Sequence, residues 1–161
     1  MNNRKVFGGL VAVTVLALGA FLLPSTHLYS GEKPGRLFKP DNNEIVQLGQ
    51  QIYAENCASC HGANLEGQTS DWRSPGPDGK LPAPPHDASG HTWHHTDELL
   101  FSLTKYGLAE AAGLKNYESN MPIYKDILTD DEIIAVMSFI KSTWPDDLRN
   151  RHDELNAVNF Q

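Results

Sequence analysis

From Val6 to Leu23 the chain runs apolar and uncharged, "VFGGLVAVTVLALGAFLL", and Pro24 closes the run. Coiled as a helix, a run of that length reaches about 27 Å, enough to cross the hydrocarbon core of a bilayer. Past residue 42 the pattern becomes one-sided. In "NNEIVQLGQQIYAEN" the apolar Ile45, Leu48, Ile52 and Tyr53 recur at helical spacing, which predicts an amphipathic helix. A second helix is predicted for "HTDELLFSLTKYG", started by Thr96 or Asp97 and stopped by Gly107, with Leu99, Leu100, Leu103 and Tyr106 on one face. A third follows in "LTDDEIIAVMSFIKSTWP". Thr129 and Glu132 make a capping box there, Asp130 and Asp131 suit the positive end of the helix dipole, and Ile133, Val136, Phe139 and Ile140 form the buried stripe up to the limit at Pro145. Between the first two helices "SDWRSPGPDGKLPAPP" has neither a helical nor a strand period, and its prolines predict a turn-rich excursion. No run alternates with the period of a strand. The pattern divides the chain into an N-terminal membrane anchor or signal segment (1–30), a linker (31–42), an all-α domain (43–145) and a C-terminal tail (146–161).

Charge refines the picture at the N-terminus. Arg4 and Lys5 precede the apolar run, which keeps that end in the cytoplasm and sends the rest of the chain outward. A cleaved signal peptide is the rival reading, with "ALG" before Ala20 as the small-residue site, but the apolar run continues past it through Leu23. Every acidic residue lies beyond position 30, leaving 11 basic groups against 20 acidic ones there. Such a surface excludes nucleic acid, which selects basic patches, and suits a basic protein partner.

Both cysteines sit in "CASCH", Cys57-Ala58-Ser59-Cys60-His61. A disulfide across two intervening residues closes a very small loop and restrains little chain. A thioredoxin-like pair needs a βαβ context, and a structural zinc site needs a second ligand pair. Cys-x-x-Cys-His is the attachment signature of c-type haem. Two thiols at this spacing reach the two vinyl groups on one porphyrin edge, and the following His61 then lies under the iron as proximal ligand.

With these residues in view the chain resembles the class I monohaem cytochrome c family, in a membrane-anchored bacterial form. Gly49 and Tyr53 match the family's Gly-x-x-x-aromatic pattern ahead of the haem motif, and Phe139 stands where the family sets an aromatic against that glycine. The resemblance implies N- and C-terminal helices crossing around one covalent haem c, and a middle helix, "HTDELLFSLTKYG", beside the haem. It also implies a proline carbonyl on the ring N–H of the proximal histidine, for which Pro82, Pro84 and Pro85 are all candidates. Met121, in "NMPIY" and 60 positions after His61, matches the family's Met-Pro loop and is the expected sixth ligand. Met137, inside the last helix, is expected to pack. The implied activity is one-electron transfer to redox proteins at the membrane, as a carrier or as a subunit of an oxidoreductase complex rather than as an enzyme in its own right.

"HDASGHTWHH" complicates this reading. His86, His91, His94 and His95 are candidates for a displaced sixth ligand, for a separate copper or zinc site, or for rim residues that tune the haem, with Trp93 covering the porphyrin edge. Rim tuning is the expectation adopted. Two other function classes stay open: a haem-based ligand sensor with a displaceable Met121, and a copper- or zinc-handling module built on the four histidines.

Overall fold

The computed structural model describes residues 36–158. The anchor or signal segment and the first five residues of the linker therefore lie outside the described residues. Among those described, no helix is long and apolar enough to cross a membrane.

The described chain is helical and free of strands. Its elements are α1 (Asn43–Asn56), α2 (Ala58–His61), a 3-10 turn (Thr92–His94), α3 (Asp97–Tyr106), α4 (Leu108–Ala111), α5 (Asp130–Ser142) and α6 (Asp146–Val158). The helix starts follow the sequence signals. Asn42 Oδ1 accepts the amides of Glu44 and Ile45 at 3.1 and 3.2 Å. Thr96, not Asp97, caps α3 by accepting the Leu99 amide at 3.2 Å. At α5 the Thr129–Glu132 capping box is complete in both directions. Gly107 ends α3 at φ +88°, a conformation that glycine adopts without steric cost.

The core is the crossing of α1 on α5. Gly49 makes it possible: a Cβ there would sit 2.0 Å from the Ala135 carbonyl oxygen and 2.9 Å from Phe139 Cβ. One turn on, the Tyr53 and Phe139 rings meet with centroids 5.5 Å apart. Ile52, Ile133, Val136 and Ile140 are buried around them, with Phe38 and Trp144. Leu48 departs from the predicted apolar stripe and is exposed, because the contact face of α1 centres on Gly49, Ile52 and Tyr53. On α3 the predicted face is met in part: Leu100 is buried and Leu103 packs on the core, but the fully buried line runs Asp97, Leu100 and Thr104.

Two segments outside residues 43–145 also join this core. At the linker's end Phe38 is 2% exposed. The segment read as a C-terminal tail forms α6 and buries Leu148, His152 and Asn156, four residues apart on one face. These meet α3 and α5 in a polar cluster. Asp97 accepts the Leu37 and Phe38 amides at 2.9 and 3.0 Å and Asn156 Nδ2 at 3.0 Å. Lys141 Nζ lies 3.8 Å from Asp97 and 2.9 Å from Asp153. His152 Nε2 donates to the His95 carbonyl at 2.8 Å. Asp97, Lys141 and His152 are all sealed from solvent.

Candidate functional site

α1 stops at Cys57, whose backbone (φ −120°, ψ −37°) turns the chain into the single helical turn of α2. That turn carries Cys60 to the surface and His61 inward, leaving Cys57 half-buried and both thiols unpaired. Burial, together with Cys60, pushes the Cys57 thiol up to about 11. Redox-active Cys-x-x-Cys pairs depend on a depressed thiol pKa, so the disulfide-exchange reading has no support here. Two hydroxyls fix the ends of the motif: Tyr53 donates to the Gly62 carbonyl at 2.8 Å and Tyr124 to the Asn56 carbonyl at 2.7 Å.

The structure selects among the three prolines. His61 Nδ1 lies 2.8 Å from the Pro84 carbonyl oxygen. A carbonyl only accepts, so Nδ1 carries the proton and Nε2 keeps its lone pair for a metal. The Pro84 carbonyl is aimed by a short pairing of chain segments: Gln68 N–H donates to Ala83 O at 2.9 Å, Ala83 N–H donates to Gln68 Oε1 at 3.1 Å, and His86 N–H donates to Leu65 O at 2.8 Å. Gly67 permits the approach, since at φ +80° it passes so close that a Cβ would meet the Pro85 nitrogen at 2.7 Å. Burial holds the His61 imidazole below its ordinary value, against the pull of the Pro84 bond, so the ring is neutral at pH 7.

The four clustered histidines go to different places. His86 stacks on His61, with ring centroids 4.0 Å apart and planes at 21°. His91 lies against the indole of Trp72 at 4.8 Å and meets the edge of His95 at 5.2 Å, while His94 stacks on Trp93 at 3.7 Å. They do not converge, and among the described residues no three His, Cys, Asp or Glu side chains are grouped to hold a metal ion. Arg73 covers the Trp72 ring at 3.9 Å, so the proline-rich excursion folds back onto His91.

Met121 is half-buried against the core, its amide donating to Ser119 Oγ at 3.0 Å. Tyr124, three residues on, donates its amide to the Thr104 carbonyl at 3.2 Å and so hangs the Met121 loop on α3. Sequence reading missed a clasp beside it. Asn120 donates to Asp78 Oδ2 at 3.0 Å and accepts from Lys80 Nζ at 3.0 Å, which ties the excursion that delivers Pro84 to the loop that delivers Met121. The hydrogen bond from Asn120 holds the Asp78 carboxyl below its usual range. Met137 is buried in α5, as expected of a packing residue.

A family profile described as Cytochrome c matches residues 46–144. This chain belongs to the cytochrome c family. Over a short stretch it is also similar to the cbb3-type cytochrome c oxidase subunit FixP of Rhizobium meliloti (strain 1021), 54% identical over 28 residues. That stretch is 17% of this chain and 10% of FixP, so the match spans about a tenth of that relative's length. No solved structure matches the chain.

The family's cofactor is covalent haem c, and the residues present fit it. Cys57 and Cys60 are free thiols at the attachment spacing, and His61 offers Nε2 alone as a ligand atom. Trp93 Nε1 and His91 Nδ1 are buried with no hydrogen-bond partner. An unmet buried donor costs about 1–3 kcal/mol, and the indole N–H fits the acidic side chain of a haem. Haem c supplies the redox chemistry, and the protein supplies ligands, orientation and a dry surrounding.

Proposed function

We propose that this cytochrome c carries single electrons through one haem held by thioethers to Cys57 and Cys60, with His61 and Met121 on the iron. The observation that carries this reading is the 2.8 Å contact between His61 Nδ1 and the Pro84 carbonyl oxygen, which leaves Nε2 as the ligand atom. A carbonyl on the remote nitrogen orients a ligating imidazole and makes it more basic. Met121 supports the reading by its place: half-buried, on a loop tied to α3 at Tyr124 and to the excursion at Asn120. Thioether sulfur favours ferrous iron and raises the potential, which suits a carrier. The uncharged run 6–23 is an anchor that holds the domain on the outer face of a bacterial inner membrane. The similarity to an oxidase subunit favours a place within, or delivering to, a membrane oxidase complex over a freely diffusing carrier.

Carbon monoxide separates this from a ligand sensor. The reduced wild-type holoprotein is expected to leave carbon monoxide unbound at neutral pH, because both axial positions are filled. Met121→Ala is expected to bind it stoichiometrically while keeping its covalent haem. Binding by the wild type would replace the carrier reading with the sensor reading.

A further inference from the structure

Of the four clustered histidines, His86 alone touches His61. Its own position is over-determined. Its amide donates to the Leu65 carbonyl at 2.8 Å, its carbonyl accepts Trp144 Nε1 at 2.8 Å, and its Nδ1 lies 2.8 Å from Thr92 Oγ1. Thr92 is 4% exposed, so that last bond is shielded. The edge of the Tyr53 ring closes on the same imidazole at 6.4 Å and 72°. Packing alone does not account for a histidine here. A leucine or phenylalanine would fill the space without the cost of desolvating two ring nitrogens.

The Pro84 carbonyl restrains His61 at one edge only. A single bond to Nδ1 limits the turning of the ring about the axis through Nε2 but, acting at one edge, leaves it some freedom. A second ring lying flat on the imidazole face, itself held at three points, removes this freedom and keeps water off that face. We propose that Thr92 and His86 form a positioning relay for the proximal ligand: Thr92 sets the His86 ring, and the His86 ring fixes the rotation of His61 about its bond to iron. This deepens the electron-carrier reading and rests on it for the presence of iron on His61. The plane of an axial imidazole orients the half-filled iron orbital of a ferric low-spin haem, so the relay governs how spin spreads over the porphyrin. By excluding water beside the ligand it also disfavours the more highly charged ferric state.

Three holoprotein variants test the relay: His86→Ala, His86→Phe and Thr92→Val. Each is read by paramagnetic proton NMR of the haem methyl groups and by redox titration. His86→Ala is expected to reorder the methyl shifts and to lower the ferrous-to-ferric ratio at fixed potential by about tenfold, about 59 mV for a one-electron couple. His86→Phe keeps a flat ring beside His61 but loses the bond to Thr92, and is expected to fall with Thr92→Val, between wild type and His86→Ala. Thr92→Val keeps the volume of Thr92 but releases His86, and is expected to move both readouts in the direction of His86→Ala by a smaller amount. A folded, haem-loaded His86→Ala protein with wild-type methyl shifts and midpoint overturns the proposal. Should His86→Ala fail to fold, Thr92→Val decides, and wild-type behaviour in both readouts overturns it. A wild type whose sixth ligand is not Met121 counts against the carrier reading instead. The variant comparison still decides the relay in that case, because it concerns the His61 face alone.

Discussion

Gly49→Ala is expected to destabilise the holoprotein by about 3 kcal/mol, at the upper end of what overpacking costs. On helix propensity alone the change should help, since alanine is about 1 kcal/mol better than glycine inside a helix. The contact reverses the sign. The added methyl would lie 2.0 Å from the Ala135 carbonyl oxygen, a backbone atom fixed within α5 that no rotamer change can move aside. α1 must therefore lift from α5, and the Tyr53–Phe139 contact, centred at 5.5 Å, opens with it. Tyr53 also holds the Gly62 carbonyl just past His61, so the strain reaches the candidate iron ligand. Thermal melts followed by circular dichroism check this, with a fall in Tm of roughly 10 °C expected for a domain of this size. Gln50→Ala, one residue along on the exposed side of α1, is the control and is expected to stay within about 0.5 kcal/mol of wild type. An unchanged Tm for Gly49→Ala would mean that the helices do not cross at this residue.

Asp97→Ala is expected to cost about 3–5 kcal/mol, the usual penalty for removing one partner of a buried ion pair. The substitution leaves Lys141 buried with Asp153 alone at 2.9 Å and strips the acceptor from the amides of Leu37 and Phe38. It also releases Asn156, and with it the hold of α3 on α6. Burial pushes Lys141 down to about 8 even though Asp97 opposes the shift. Urea unfolding midpoints measure the loss, and a change under 1 kcal/mol would contradict the cluster's role. The same cluster predicts acid sensitivity. Burial, then Lys141, lowers His152 to about 4, with Arg36 and His95 adding to the shift and the His95 carbonyl opposing it. Between pH 6.5 and 4 the unfolded chain takes a proton at His152 that the native chain refuses. Stability from this group is therefore complete above pH 6.5 and is lost as pH falls toward 4, by about 3 kcal/mol in all. His152→Gln is expected to flatten that slope.

Much of this architecture could be read from residues alone. The Thr129–Glu132 box, the stop at Gly107 and the glycine facing Phe139 are local signals, and each is found where its chemistry places it. "CASCH" identified the cofactor because covalent attachment demands that spacing and few other uses of two cysteines survive beside it. What stayed hidden depends on long-range geometry. Pro82, Pro84 and Pro85 are equivalent as letters, and only the pairing of residues 65–68 with 83–86 turns the Pro84 carbonyl toward His61. α6 escaped notice because its inward stripe is Leu148, His152 and Asn156, and a hydrophobic pattern does not register a face that buries hydrogen-bonded polar groups. The histidine cluster was conspicuous, yet its sequence could not tell which ring would meet His61. Position His86 is decided by a backbone held from both sides, by Leu65 and by Trp144.

The central claim is that His61 and Met121 share one iron. The near-infrared spectrum of the oxidised holoprotein, taken by magnetic circular dichroism, addresses it directly. The wild type is expected to show the charge-transfer band of a thioether on low-spin ferric haem, and Met121→Ala is expected to lose it. A wild-type spectrum of high-spin iron, or of iron held by two nitrogens, would contradict it.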